Sequence, residues 1–160
     1  MKTLGIIDED FVNYKLPSMY VAFPRCSFKC DKECGKIICQ NSGLANQKTI
    51  DFPIEKIVKR YKTNEISKAI VLAGLEPFDS FESLKMLCYE MRKAYIKDPI
   101  VIYTGYNKEE IIDKVNELVL LGAPNLIIKY GRFIPDNEPY YNEILGVKLA
   151  SKNQWAERYK

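Results

Sequence analysis

Four stretches of the chain are apolar with hardly a break: residues 18–23 (SMYVAF), 68–74 (KAIVLAG), 99–105 (PIVIYTG) and 124–131 (PNLIIKYG). Each has the length of a strand, and its continuous apolar character predicts burial on both faces. The segments between them change period. In residues 52–62 (FPIEKIVKRYK), Ile54, Ile57, Val58 and Tyr61 fall at helical spacing behind Pro53. Residues 79–95 begin with Asp79 or Ser80 as a cap and gather Leu84, Leu87, Cys88 and Met91 on one face. Residues 107–122 form a further amphipathic helix closed by Gly122. Strands alternating with helices predict βαβ units, hence an α/β fold with a mostly parallel sheet. No repeat or low-complexity linker divides the chain, so residues 1–160 read as one domain, with a cysteine-rich loop at 24–47 after the first strand.

Gly74, Gly105 and Gly131 each follow one of the apolar runs. Ligands of α/β folds lie beyond the carboxyl ends of the strands, where a glycine lets them approach the backbone. Tight strand-to-loop turns would explain any one of the three; together, with polar neighbours, they predict a site.

Composition narrows the chemistry. Hydrophobic residues make up 47% and charged residues 28%, the profile of a soluble globular domain. The net charge of +3 is mild and the lysines are dispersed, so no nucleic-acid or membrane partner is expected. No apolar run is long enough to span a bilayer. The apolar patch in residues 1–11 (MKTLGIIDEDF) is broken at once by acids and does not read as a signal peptide. A cytoplasmic, reducing location is the expectation. There is no histidine, which excludes an imidazole base and any His-ligated metal.

Four of the five cysteines lie in fourteen residues, CSFKCDKECGKIIC, with spacing Cys-x3-Cys-x3-Cys-x4-Cys at Cys26, Cys30, Cys34 and Cys39. An odd count in a reducing compartment argues against disulfides. Zinc sites favour two short knuckles set apart, whereas these thiols share one continuous loop. Thiolates so crowded require a metal or cluster to neutralise them. Three ligating cysteines leave one iron of a cluster open; a fourth closes it.

In order along the chain come FVNY (11–14), CSFKC (26–30), LAGLEPF (72–78), YTGY (103–106), KYGRF (129–133) and SKNQ (151–154). This series resembles the radical S-adenosylmethionine enzymes, and within them the small activating proteins of anaerobic ribonucleotide reductases. Those carry Cys-x3-Cys-x2-Cys, Ser-Gly-Gly-Asp/Glu-Pro, Tyr-Thr-Gly-Tyr, Asp-Gly-Arg-Phe and Ser-Asn-Gln stretches. Three departures stand out. The third cysteine is either Cys34, after a one-residue insertion, or Cys39, after a six-residue insertion, where Cys39-Gln40-Asn41 matches the family's Cys-aromatic-Asn in its first and last residues. Leu75 replaces a family glycine, and Lys129-Tyr130 replaces an acid.

The resemblance implies a small partial (β/α) barrel of the radical S-adenosylmethionine type. It also implies a [4Fe-4S] cluster on Cys26, Cys30 and Cys39, with Cys34 as the alternative third ligand, and S-adenosylmethionine as second cofactor. Gly74 and Glu76 would face the methionyl ammonium; Thr104, Gly105 and Tyr106 would line the adenosine end. The implied partners are a glycyl radical protein similar to anaerobic ribonucleotide reductase and an electron donor such as flavodoxin or ferredoxin. Plainer roles stand beside these: Glu76 as a cap for the turn after Pro77, Tyr106 as rim packing, Cys88 as core and Arg132 in a salt bridge. A four-thiolate electron-transfer module and a structural zinc protein are the competing readings of the loop.

Overall fold

The computed structural model describes residues 1–122 and 125–159. In chain order the strands are β1 (Lys2–Thr3), β2 (Gly5–Asp10), β3 (Ser18–Phe23), β4 (Ile50–Asp51), β5 (Ala69–Gly74), β6 (Ile100–Tyr103), β7 (Leu126–Tyr130), β8 (Tyr140–Asn142), β9 (Val147–Leu149) and β10 (Trp155–Tyr159). The α-helices are α1 (Lys29–Cys34), α2 (Ile54–Thr63), α3 (Phe81–Lys93) and α4 (Lys108–Leu120). Pro124, the first residue of the fourth apolar run, lies outside the described residues.

Six strands form one open sheet in the order β10-β7-β6-β5-β3-β2. Its four central strands run parallel, and both edge strands, β2 and β10, pair antiparallel. The sheet is therefore mixed, and the described strands do not close into a barrel. Alternation along the central strands sorts their side chains onto two faces. Met19, Val21, Phe23, Ile70, Leu72, Ile100, Ile102, Leu126 and Ile128 pack under α2, α3 and α4. Val71, Ala73, Val101 and Ile127 meet Tyr14, Leu145, Leu149 and Ala156 on the other face. Both faces are covered, which is why these strands read as unbroken apolar runs.

β2 and β10 were not legible as sheet strands because each holds a single buried residue among half-buried and exposed ones. Residues 24–47 hold α1 and a 3-10 turn at Ser42–Asn46. The segment leaves β3 and crosses the carboxyl ends of the parallel strands.

Candidate metal centre

Three backbone features aim the cysteines. Phe28, with φ 52, sits in the left-handed region and turns the chain into α1, and its N–H donates to Cys26 Sγ at 3.2 Å. Such strain in a non-glycine residue persists only where surrounding contacts hold it. The Asp79 carboxylate supplies one such contact, accepting from Ser27 N and Tyr106 Oη, both at 2.5 Å. Farther along, Asp31 Oδ1 accepts from the N–H groups of Ile38 and Cys39, each at 2.8 Å. That carboxylate folds residues 31–38 into a lobe and returns Cys39 toward Cys26 and Cys30. Asn41 then donates to the carbonyl of Gly74 at 3.0 Å, tying the end of the lobe to β5.

Cys26, Cys30 and Cys39 are half-buried and line one cavity of about 340 Å³ beyond the carboxyl ends of β5, β6 and β7. Cys34 is exposed at the last turn of α1 and does not line it. Burial pushes the Cys26 thiol up to about 12, against a hydrogen bond from Phe28; burial likewise raises Cys39. Cys39 interacts electrostatically with both Cys26 and Cys30. Without a metal, Cys26 and Cys39 keep their protons near neutral pH, and a metal displaces them on binding. Among the described residues, no group of three or more His, Cys, Asp or Glu is gathered tightly enough to hold a single metal ion. Three soft donors spread around an open cavity suit a larger body than one ion. The donor set and the space fit an iron–sulfur cluster.

Glu76 is the hub of the same cavity. It is 4% exposed, and its carboxylate accepts from Phe78 N at 3.1 Å, Thr104 Oγ1 at 2.8 Å and Gly105 N at 2.9 Å. Its backbone N–H donates to Arg25 O at 2.7 Å, which fastens the cysteine loop to the end of β5. Glu76 thus caps the 3-10 turn at Pro77–Ser80 and also joins β5 to β6. Burial raises its carboxyl from 4.5 to about 7, opposed by the Gly105, Thr104 and Phe78 hydrogen bonds. The folded protein therefore holds a proton that the unfolded chain has released. In cluster-free protein, stability should be fully present below about pH 4.5 and fall as the pH rises through 7, by on the order of 3 kcal/mol. Denaturant titrations at a series of pH values check this. Glu76→Gln should flatten the profile; an unchanged slope would assign it to another group.

Gly74 and Gly105 line the cavity beside Glu76, with Thr104. Tyr106 does not. It borders a smaller recess with Ser27, Lys29 and Cys26, its ring lying 4.6 Å from the Lys29 ammonium. Arg132 is 7% exposed and bound in a bidentate pair with Glu110, at 2.7 and 2.8 Å. Its Nε also stands 2.8 Å from Glu33 Oε2, so it links α4 to α1 behind the cysteine loop. Cys88 is fully buried in the core. Gly131, at φ 96, comes so near Asn153 that KYGRF and SKNQ lock together: Asn153 Nδ2 donates to Arg132 O at 2.9 Å.

Two residues with clear roles in this geometry went unread in the sequence. Asp31 had no signal, since an acid in a lysine-rich loop looks like solvated charge. Lys129 stood out only as an odd residue in its motif, yet it is 7% exposed and lines the cavity. For Asp31→Ala we expect faster loss of iron on gel filtration, by several-fold, with the melting temperature of the body little changed. Iron retention equal to wild type would show that the lobe closes without that carboxylate.

A family model described as a 4Fe-4S single cluster domain matches residues 18–153, well over half of the chain. No curated protein and no solved structure is matched.

Proposed function

The chain belongs to the 4Fe-4S single cluster domain family, and from that premise we propose that it is a radical S-adenosylmethionine enzyme that activates a glycyl radical protein. One observation carries the reading: the motif segments, far apart in sequence, converge on a single cavity. CSFKC contributes Cys26 and Cys30, LAGLEPF contributes Gly74 and Glu76, and YTGY contributes Thr104 and Gly105. KYGRF contributes Lys129 and Gly131, and SKNQ contributes Gln154. Cys39 reaches the same cavity from the inserted lobe.

On this reading Cys26, Cys30 and Cys39 would hold the cluster, and with only three protein thiolates it would have room to take S-adenosylmethionine as a further ligand. When bound and reduced, such a cluster supplies the electron that splits the sulfonium carbon–sulfur bond, giving methionine and a 5′-deoxyadenosyl radical. The chain's own residues bind and orient. Glu76 offers its carboxylate to the methionyl ammonium, with Thr104 and Gly105 fixing its rotamer. Gly105 keeps the space beside Cys30 free, since a Cβ there would lie 3.6 Å from Cys30 Sγ. Leu75, where the resembled activating proteins have glycine, borders the cavity. The adenosine end falls to Thr104 and Gly105. Tyr106, engaged with Asp79, holds the cysteine loop instead of offering a free ring face.

A polypeptide substrate is supported by the rim. Phe11 and Val12 are 65% and 74% exposed, directly before the cavity-lining Asn13. The test is anaerobic. S-adenosylmethionine added to reduced, cluster-loaded protein should change the electron paramagnetic resonance spectrum of the cluster and release 5′-deoxyadenosine. A glycyl radical signal should then grow on an added anaerobic reductase. A spectrum indifferent to S-adenosylmethionine would mean a closed cluster and an electron-transfer module.

A further inference from the structure

Outside the metal centre, residue type and local structure conflict most sharply at Tyr95. Two hydrogen bonds close the last turn of α3: Tyr95 N–H donates to Arg92 O at 2.9 Å and Ile96 N–H to Met91 O at 3.1 Å. That arrangement needs a left-handed residue just past the cap, a place usually taken by glycine. α4 fills its matching position with Gly122, at φ 70, whereas α3 carries Tyr95 there, at φ 60. A side chain in that conformation is strained. Burial does not offset the strain, because Tyr95 is 89% exposed. Neither the helix end nor the core accounts for the tyrosine.

Tyr95 borders a cavity of about 380 Å³ at the amino ends of β5 and β6, the rim opposite the cysteine loop. Lys62 near the end of α2, Lys68 before β5 and Lys97 before β6 line it as well. None of the three forms a salt bridge among the described residues, and only Lys68 makes a side-chain hydrogen bond, to Glu65 O at 2.8 Å. Asp98, the acid on the same wall, is engaged elsewhere: it accepts from the Tyr61 hydroxyl at 2.7 Å and interacts with Arg92. Lysines dispersed along the sequence are thus gathered by the fold into one positive pocket with an aromatic edge. Like charges held together favour an anion between them, and the volume is that of a small-molecule site.

We propose that this cavity binds a nucleotide carrying two or more phosphates, its base stacked on Tyr95 and its phosphates held by Lys62, Lys68 and Lys97. Stacking needs only an open ring face, which an exposed tyrosine supplies. Phosphate charge suits compact ammonium groups that lack carboxylate partners. The site lies at the far end of the sheet from the cysteines and does not depend on what the metal centre does.

The experiment is equilibrium dialysis of the full, cluster-loaded chain under anaerobic conditions, with labelled ADP and labelled pyrophosphate as separate probes. Wild type is compared with Tyr95→Gly and with a Lys62→Gln, Lys97→Gln double variant. Wild type should bind both probes, ADP the more tightly. The double variant should weaken both by at least about tenfold. Tyr95→Gly should weaken ADP by about fivefold or more and leave pyrophosphate within about twofold. That variant should also melt at or above the wild-type temperature, since glycine relieves the left-handed strain. A wild type that binds neither probe would overturn the proposal, as would ADP binding that neither variant alters, because the nucleotide would then sit elsewhere. Pyrophosphate bound as tightly as ADP would reduce the site to an anion patch and overturn the nucleotide assignment. Single-stranded polynucleotide displacing ADP at far lower nucleotide concentration than unlabelled ADP itself would assign the surface to nucleic acid and overturn it too.

Discussion

Cys39→Ala should leave reconstituted protein with little or no stable cluster, whereas Cys34→Ala should keep wild-type iron and sulfide. Spacing alone favours Cys34 as the third ligand, since it needs the smaller insertion. The structure separates the two thiols by location. Cys34 ends α1 on the exposed side, ahead of Gly35 in the left-handed region at φ 70, while Cys39 returns to the cavity through Asp31 and Asn41. A cluster missing one of three thiolates has two irons without protein ligands and is lost readily. The difference should be plain in iron analysis and in the absorption of the purified variants. A Cys34→Ala protein that loses its cluster, beside a Cys39→Ala protein that keeps it, would reverse the assignment and require the lobe to refold.

Gly74→Ala should lower stability by about 3–5 kcal/mol, on the order of 10 °C in melting temperature for a chain of this size. Two costs combine. At φ 95 an L side chain is strained. The added Cβ would also stand 2.8 Å from Phe23 N and 2.9 Å from Ala22 Cα. These are backbone atoms of β3, the neighbouring strand in the sheet, so no side chain can rotate aside. Relief requires β3 and β5 to separate at the point where the cysteine loop leaves. Gly105→Ala is the control, because its Cβ would meet Cys30 Sγ at 3.6 Å and Glu76 Oε2 at 3.7 Å, ordinary contact distances. It should fold as well as wild type and perturb only what the cavity binds. Thermal melts of the two variants check the contrast; equal melting temperatures would refute the backbone argument.

The central strands and the three long helices were legible because local signals agree with the fold. Ile70, Leu72, Ile100, Ile102 and Ile128 are buried under helices and Val71, Val101 and Ile127 on the opposite face, so each run is apolar throughout. The helices carry their buried residues, such as Leu84, Leu87 and Met91, at the spacing that faces the sheet. The edges were not legible. β2 and β10 each lie on one side of a partner only, and their mixed patterns are shared by many loops. The site was legible in part. Gly74, Glu76, Thr104 and Gly105 do meet three cysteines at one cavity, while Tyr106 turns to Asp79 behind the loop.

By itself the sequence determined the α/β character, the crowding of four thiols in one loop and the absence of imidazole chemistry, because these follow from periodicity, spacing and composition. Only the tertiary structure decided which thiols share a cavity, since Asp31 and Asn41 act on Cys39 through contacts that spacing does not encode. It likewise decided that Glu76 is both cap and cavity acid, and that Lys129 is buried without a salt bridge among the described residues. Burial and hydrogen bonding at those positions depend on which strands become neighbours. That is a property of the folded sheet and not of any local segment.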